Sequence, residues 1–430
     1  MRLPKRKPEL LLPAGSLERL KTAFLYGADA VYAGMPGVSL RNKTSFSAPE
    51  LRAGIAYAHE LGKKVYLTIN LFTHNRDISN LEAFIARLPD LKPDGVIVAD
   101  AGVFDLLKQH VPDIPRHIST QANVCSSLTV RFWQNQGAAL CVLGREVPLA
   151  EIAEIRKACP DIRLEMFIHG ALCVSYSGRC LLSNFMTGRS ANKGNCAHSC
   201  RWRYRLYETD PVRPDPEKEY YLEEETRPGE LMQIDEDAHG SYIMNSRDLC
   251  LLPRLNEILP IGLDSFKIEG RNKTEYYVAV TARAYRKAID DWFERPKSWS
   301  PDSYMDEIMT LQSRGYTVGF LDGNAGPEAN NDTLGGSHGD WRFAGVVREN
   351  RGDSIRVEVK DKLAVGEVIE GLSPNRFEPV RIQIRALTDP MTGESVSQIS
   401  AGRVGQMVEI PLDKVESALL PPLSVLRKKV

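Results

Sequence analysis

Eight short apolar runs recur along roughly the first 290 residues, and they constrain the fold more than any other feature. They fall at residues 9–12, 28–33, 64–70, 95–99, 117–123, 139–143, 163–168 and 266–271, with amphipathic stretches between most of them. Strands that alternate with helices form parallel sheets, and eight parallel strands are the number that closes a barrel. We therefore predict an α/β fold, a (β/α)8 TIM-like barrel. The alternative is an open doubly wound sheet, but no Gly-x-Gly-x-x-Gly follows the first strand, which counts against a dinucleotide-binding fold.

The pattern changes after about residue 301. Short alternating apolar runs at residues 343–347, 354–359, 365–369, 380–384 and 405–410 predict a small C-terminal antiparallel β-barrel. The expected domains are a barrel at 1–300 with a cysteine-rich insertion at about 172–260, a linker at 301–334, and the small β-barrel at 335–430.

The composition narrows the class of protein. The net charge of −1 lacks the strong positive balance that nucleic-acid binders often carry, although a local patch can suffice. No apolar run approaches the roughly 20 residues that cross a bilayer, and no apolar segment typical of a signal peptide follows the basic N-terminus. We expect a cytoplasmic protein that does not bind membranes, in which the eight cysteines are thiols or metal ligands rather than disulfides.

Four of the cysteines, Cys173, Cys180, Cys196 and Cys200, fall within one 28-residue stretch, and Cys250 follows downstream. Successive gaps of six, fifteen and three residues between the first four match neither a zinc ribbon nor a bacterial ferredoxin. Nearby glycines allow the backbone to wrap a bulky cofactor, and thiolates suit an iron–sulfur cluster or zinc. The alternative is a set of buried core thiols, which fits the other three cysteines well. These residues alone leave Cys200 and Cys250 open as the fourth ligand.

Polar side chains gather where the predicted strands end, which is where barrel active sites form. The set comprises Asn70, Asp100, Gln121, Asn123, Arg145, Glu146, His169, Lys267, Glu269 and Arg271. The alternative for each is that it caps the helix that follows.

Residues 201–205, Arg-Trp-Arg-Tyr-Arg, alternate basic and aromatic side chains. As a strand they would present one cationic face to phosphates and one aromatic face to bases. The alternative is a solvated strand with Trp202 buried.

The stretch Glu165-x-Phe-x-x-Gly-Ala-Leu-Cys173-x4-Gly-x-Cys180-x-Leu-Ser183 resembles the signature of the U-32 collagenase-like peptidase family. Residues 11–15, 27–34 and 267–271 are also similar to that family, and the resemblance covers roughly residues 8 to 290.

The resemblance implies more than a fold. Many family members resemble iron–sulfur proteins that act in RNA hydroxylation or quinone biosynthesis, and the family pattern implies a 4Fe-4S cluster on Cys173, Cys180, Cys196 and Cys250, with Cys200 as the alternate. The region near 335–425 is similar to that of members that convert the tRNA wobble uridine to 5-hydroxyuridine with prephenate. Other members hydroxylate ribosomal RNA or assist ubiquinone hydroxylation.

That chemistry predicts roles for the residues at the strand ends. Prephenate carries two carboxylates, which arginine can grip bidentately, so Arg145 and Arg271 are candidates with Lys267 assisting. His169 is a candidate for proton transfer. The alternatives are ion pairs with neighbouring glutamates and a structural histidine. No side chain can supply the redox part of hydroxylating uracil, so a cofactor is required. We expect tRNA, prephenate and an electron-donor protein as partners.

Two rival functions remain. A collagenase-like peptidase would need a nucleophile beside a histidine base, and the sequence contains neither a nucleophile-elbow motif nor a His-Glu-x-x-His zinc motif. A non-catalytic iron–sulfur subunit of a hydroxylase complex is the second rival.

Overall fold

The computed structural model describes residues 4, 6–39, 46–173, 175–177, 179–187, 189, 196–201, 246–323, 329, 337–402 and 405–430, together with the backbone of four short strands between residues 220 and 241. The chain divides into two compact units. The first comprises Met1–Leu17, Asp29–Asn272 and Ser313–His338, and the second comprises Glu18–Ala28, Lys273–Gln312 and Gly339–Val430.

The strands of the first unit are β1 (Glu9–Pro13), β2 (Ala30–Gly34), β3 (Lys64–Ile69), β4 (Gly95–Val98), β5 (Arg116–Ile118), β6 (Leu140–Val142), β7 (Arg163–Ala171), β8 (Tyr220–Glu223), β9 (Leu231–Ile234), β10 (Glu236–Asp237), β11 (Gly240–Ser241), β12 (Asp248–Cys250), β13 (Ser265–Ile268) and β14 (Tyr316–Thr317). Eight of them, β1 to β7 and β13, pair in parallel, and β13 pairs with both β1 and β7. The closed parallel barrel is therefore confirmed.

The helices are α1 (Leu17–Leu25), α2 (Ala48–Glu60), α3 (Ile78–Ile85), α4 (Leu88–Leu91), α5 (Ala101–His110), α6 (Ser127–Gln136), α7 (Leu149–Ala158), α8 (Leu182–Thr187), α9 (Leu255–Ile258), α10 (Glu275–Glu294), α11 (Asp302–Ile308) and α12 (Lys414–Ala418). Side-chain caps fix several of their starts. Ser47 forms a capping box with Glu50 at α2, and Asp100 accepts a hydrogen bond from the Val103 amide at α5. None of the helices in the described part of the chain has the length and apolar character needed to span a membrane.

Strand β7 pairs with barrel strands along its first half and with a strand outside the barrel at its end. Its first half pairs with β6 and β13 inside the barrel, and its end pairs antiparallel with β12, with Ala171 opposite Asp248 and His169 opposite Cys250. The register with β13 shifts after Lys267, so that Ile268 pairs with His169. A bulge of this kind re-aims the strand, and β7 therefore leaves the barrel towards the cysteine-rich segment.

The second unit contains an antiparallel sheet. Its strands are β15 (Trp341–Asn350), β16 (Ser354–Val359), β18 (Val368–Leu372), β19 (Val380–Gln383), β20 (Leu387–Thr388), β21 (Ser395–Val396), β23 (Met407–Pro411) and β24 (Val425–Lys429), while β17 (Leu363–Ala364) and β22 (Gln398–Ile399) form a separate pair. In order β19-β18-β24-β15-β16-β23-β20-β21, the sheet curls as a half-barrel around buried aliphatic side chains such as Val357, Ile382 and Val408.

Two predicted strands have wrong limits, one strand was missed, and the predicted linker contains regular elements. The strand expected at 117–123 ends at Ile118, because a 3-10 turn over Thr120–Ala122 follows and Asn123 is left-handed with φ of 54°. The strand expected at 365–369 begins only at Val368, after a turn at Gly366 with φ of 93°. Strand β24 was not predicted. Residues 301–334, expected as a linker, contain α11 and β14.

Tyr26 tests the packing of the second unit. Its buried hydroxyl donates to the Leu372 carbonyl at 2.5 Å and accepts from the Val425 amide at 3.0 Å. Tyr26→Phe should lower the free energy of unfolding by about 1–3 kcal/mol, because it leaves a buried carbonyl and amide without partners. Urea unfolding followed by circular dichroism measures this. Tyr176→Phe, on a side chain that is 65% exposed, is the control, and equal midpoints for the two variants would contradict the prediction.

Candidate functional site

A buried ion pair lies inside the barrel between β7 and β13. Lys267 Nζ is 3.1 Å from Glu165 Oε1, and the Ser265 hydroxyl donates to the other carboxylate oxygen at 2.7 Å. The two charged side chains are only 6% and 1% exposed. Alternate residues of a strand point to the same side, so Ser265 and Lys267 face the interior together with Glu165 and Phe167.

The Phe167 ring brings two cations together. The Arg145 guanidinium lies 3.8 Å from the ring centroid, and Lys267 Nζ lies 5.4 Å from the same centroid and 4.6 Å from that of Tyr32. Arg145 also pairs with Glu269 at 3.4 Å, with both side chains partly exposed. The site thus contains an inner ion pair, Lys267–Glu165, and an outer one, Arg145–Glu269, around one aromatic ring.

Arg271 is held by hydroxyl groups from the neighbouring strand ends. It is 4% exposed and donates to Ser39 Oγ at 2.6 Å and to Thr68 Oγ1 at 3.0 Å. A β-carbon at Gly34 would clash with its guanidinium, so the chain must have glycine there for Arg271 to occupy this position.

His169 lies at the start of the β7 extension. Its side chain is buried, its ring is 5.5 Å from the ring of Tyr316, and its carbonyl accepts from the Glu269 amide at 2.9 Å. The structure therefore brings Arg145 and Lys267 together around Phe167, whereas it places Arg271 and His169 against other neighbours.

Glu146 connects the rim of the barrel to the cysteine-containing loop. One carboxylate oxygen accepts from Ser177 Oγ at 2.9 Å, and the other is 3.5 Å from Asn123 Nδ2 and 3.6 Å from Cys125 Sγ. Burial and the neighbouring Glu146 carboxylate raise the pKa of the Cys125 thiol to about 11. Because Ser177 lies between Cys173 and Cys180 in sequence, this hydrogen bond anchors that loop.

The remaining rim residues have simpler roles. Asn70 donates to Gln121 Oε1 at 2.7 Å, which links the ends of β3 and β5. Asp100 caps α5, so the capping alternative applies to it.

The cysteines occupy different environments. Cys173 is exposed, Cys180, Cys196 and Cys200 are half-buried, and Cys250 is buried on β12. Among the side chains that the structure describes, no three His, Cys, Asp or Glu residues are arranged to hold a metal ion. The donor set of thiols fits the chemistry of an iron–sulfur cluster, and the cluster stays a prediction from the sequence. The nearby glycines at 178, 188 and 194, and residues 202–205 of the basic–aromatic segment, lie outside the described residues.

His117, a histidine that could act as the base of a peptidase, is buried within β5. Its ring lies 4.6 Å from that of Tyr66. Burial lowers the pKa of His117 to about 3, and the cations Arg163, Lys267 and Lys64 add to the effect. The imidazole is therefore neutral at pH 7 and a poor general base.

Comparison with protein families matches residues 15–331 to peptidase family U32 and residues 339–422 to the peptidase family U32 C-terminal domain. The chain belongs to peptidase family U32. One U32 relative, tRNA hydroxylation protein P of Escherichia coli (strain K12), is 41% identical over 396 residues, which cover 86% of each chain. The 23S rRNA 5-hydroxycytidine C2501 synthase of the same organism is 33% identical over 67% of this chain and 40% of its own length. A solved U32 peptidase structure aligns with 63% of this chain and 96% of its own at 14% identity and a TM-score of 0.39.

Reasoning from sequence missed several residues of the site. It gave roles to Arg145, Lys267 and Arg271 but none to Glu165, Phe167 and Ser265 around the inner ion pair or to Ser39 and Thr68 at Arg271. It also missed Ser177, which bonds to Glu146. Alternation along β7 and β13 was the available signal for Glu165, Phe167 and Ser265, because residues two apart on a strand share a face. Ser39 and Thr68 meet only through the fold, and no local pattern identifies them.

Glu165→Gln tests the inner ion pair. We expect the free energy of unfolding to fall by roughly 3–5 kcal/mol, because the change leaves the Lys267 charge buried without its counter-ion. Glu257→Gln is the matched control, since Glu257 pairs with Arg254 at the surface, with side chains 42% and 26% exposed, and should cost at most about 1 kcal/mol. Denaturant titrations of both variants measure the difference. A similar fall in the free energy of unfolding for both variants would contradict a larger contribution from the buried pair.

The buried His117 predicts a pH dependence. Its folded pKa of about 3 lies below the ordinary 6.5, so the unfolded chain binds an additional proton between these values. Stability contributed by this group is present above pH 6.5 and falls as the pH drops towards 3, by up to about 1.4 kcal/mol per pH unit. His117→Gln should reduce the slope of unfolding free energy against pH in this window by that amount. Parallel slopes for wild type and variant would refute the assignment.

Proposed function

We propose that this chain hydroxylates the wobble uridine of tRNA to 5-hydroxyuridine, with prephenate as co-substrate and a 4Fe-4S cluster, in the cytoplasm. Relatives named for tRNA hydroxylation, at 41–42% identity over 86% of the chain, and the 23S rRNA relative support RNA hydroxylation as the type of activity. The observation that carries the proposal is that two consecutive residues connect the cationic site with the cysteine loop. Arg145 lies on the Phe167 ring, and Glu146 anchors the cysteine loop through Ser177.

Arg145 is the residue best suited to take a carboxylate of prephenate. Its pair with Glu269, at 3.4 Å with side chains 14% and 18% exposed, is partly solvated, and such pairs are weak. A dicarboxylate that binds bidentately can displace this contact. Lys267 contributes positive charge from beneath while it stays bound to Glu165, and Arg271 is proposed for the second carboxylate.

Cys173, Cys180, Cys196 and Cys250 would hold the cluster, with Cys200 as the alternate fourth ligand. When bound, such a cluster supplies electrons or acts as a Lewis acid. We propose that an electron-donor protein completes the system and that His169, adjacent to Gly170 on the β7 extension, transfers protons.

The rival functions have less support. A peptidase base is disfavoured at His117, whose pKa of about 3 keeps the imidazole neutral and weakly basic. A non-catalytic iron–sulfur subunit would share the same cysteines, so the distinction requires the reaction itself. Purified protein incubated with unmodified tRNA, prephenate and a reductant should form 5-hydroxyuridine if the chain is the catalyst.

Mass spectrometry of tRNA nucleosides from cells that lack this gene tests the function. We expect 5-hydroxyuridine to disappear, and the wild-type gene to restore it. Cys173→Ala and Cys180→Ala should fail to restore it, and the purified variants should lose bound iron, because each removes a thiolate ligand. Cys125→Ala is the matched control: the raised pKa of that thiol, about 11, makes it a poor ligand, so iron and modification should persist.

The same assay decides the fourth ligand. Loss of iron in Cys250→Ala with retention in Cys200→Ala supports Cys250, and the reverse supports Cys200. Unchanged nucleosides in the deletion strain would reject the proposed function, whereas full iron content in both Cys173→Ala and Cys180→Ala would reject the cluster assignment alone.

A further inference from the structure

Helix α8, in the cysteine loop, buries the polar Ser183 and exposes the apolar Phe185 and Met186. Ser183 is 1% exposed, and its hydroxyl donates to the Arg189 carbonyl at 2.7 Å and accepts from the Ala197 amide at 2.8 Å. Phe185 is 86% exposed and Leu181 is 70% exposed. An ordinary helix of a globular protein does the reverse, so this arrangement needs a reason other than folding of the loop.

The exposed apolar side chains belong to one loop, and two of them share a helical face. The Phe185 amide bonds to the Leu181 carbonyl at 2.9 Å, so these residues are one helical turn apart and share a face. Tyr176, 65% exposed, and Met186, 41% exposed, lie in the same loop. We call Tyr176, Leu181, Phe185 and Met186 the cysteine-loop apolar surface. Single exposed apolar residues are common, but a group of them marks an interaction site.

The sequence segment that contains this surface is strongly cationic. Between Glu165 and Glu208 the sequence contains no Asp or Glu and six Arg and Lys residues. Two of these cations, Arg179 and Arg189, are exposed. The Arg179 amide donates to the Tyr176 carbonyl at 2.8 Å, and the Arg189 carbonyl accepts from Ser183 of α8 at 2.7 Å, so both lie in the same loop as the apolar surface. A partner that offers flat apolar faces and repeated negative charges is single-stranded nucleic acid, whose bases stack on aromatic rings while its phosphates contact arginine.

The loop also has the right attachment for such a role. Ser177, one residue after Tyr176, is fixed to Glu146 at 2.9 Å, and Glu146 follows Arg145 of the candidate site in the chain. A nucleotide that stacks on this loop is therefore held at the rim of the barrel. Sequence-specific RNA recognition generally targets unpaired bases that can be splayed out and stacked.

We propose that the cysteine-loop apolar surface binds unpaired nucleotides of the RNA substrate, with Tyr176 and Phe185 stacking on bases and Arg179 and Arg189 contacting phosphates. This inference rests on the proposed function for the identity of the ligand as RNA. It adds the surface that recognises the nucleotides around the target base.

The test is fluorescence anisotropy of a labelled, unmodified anticodon stem-loop RNA titrated with the full-length protein. Phe185→Ala and Tyr176→Ala should each raise Kd by roughly 5- to 150-fold, which corresponds to the loss of one stacked base. Phe132→Ala, which removes an aromatic ring that is 54% exposed on α6, is the matched control and should leave Kd unchanged. Thermal melts should coincide for all variants, because the mutated rings are exposed.

Two further substitutions at Phe185 separate stacking from general apolar contact. Phe185→Trp should retain the affinity, whereas Phe185→Leu, which keeps an apolar side chain without a ring face, should weaken it. Arg179→Gln should lower the salt dependence of binding, with the slope of log K against log salt reduced by about 0.7 for a lost single-strand phosphate contact.

The outcomes separate this inference from the proposed function. If the wild-type protein binds the RNA and Phe185→Ala and Tyr176→Ala bind it equally well, the surface assignment is overturned and the proposed function stands. If the wild-type protein does not bind the RNA, both fail. If Phe185→Ala leaves RNA affinity intact but changes the molar mass in sedimentation velocity, the surface is a protein interface and the inference is overturned.

Discussion

A buried ion pair between β7 and β13 joins the strands that close the barrel, and the candidate site depends on it. Isolated charges in a protein interior carry a large desolvation penalty, so Lys267 and Glu165 are tolerated only in the geometry that pairs them, with Ser265 as a further partner. That geometry fixes the register of the two strands. It also places Phe167 within 3.8 Å of the Arg145 guanidinium and 5.4 Å of Lys267 Nζ, so the strand pairing that closes the barrel also brings the cationic side chains together.

The extension of β7 beyond the barrel is also held in a fixed position. After the bulge opposite Lys267, Gly170 adopts φ of 117°, and a β-carbon there would lie 2.7 Å from backbone and side-chain atoms of Glu269. A residue other than glycine would be strained there and would also collide with β13. The cysteine loop therefore starts from a fixed point, and Glu146 holds it at a second one through Ser177. These two attachments position the start of the cysteine loop.

The fold was predictable where local pattern and global topology agree. Apolar runs of strand length identified all eight barrel strands, because strands buried on both faces have nearly continuous apolar sequences. The limits failed where single residues decide them, as at Asn123 and Gly366, which are left-handed. In the candidate site, sequence reasoning named Arg145, Lys267 and Arg271 from their positions near the ends of predicted strands. It could not assign their partners, since Ser39 and Thr68 reach Arg271 from elements more than 200 residues away.

The antiparallel ladder between β7 and β12 has a consequence for how this chain tolerates change. Ala171 and Asp248 face each other across the ladder, and directly opposed residues have Cα atoms about 4.5–5.5 Å apart. The segment 172–247 therefore begins and ends at neighbouring positions of this ladder. The entropic cost of closing a loop grows only slowly with its length. This segment can therefore be lengthened, shortened or replaced by a tight hairpin connection while the barrel strands keep their arrangement. The residues of this segment can therefore change without a change in the barrel that supports them.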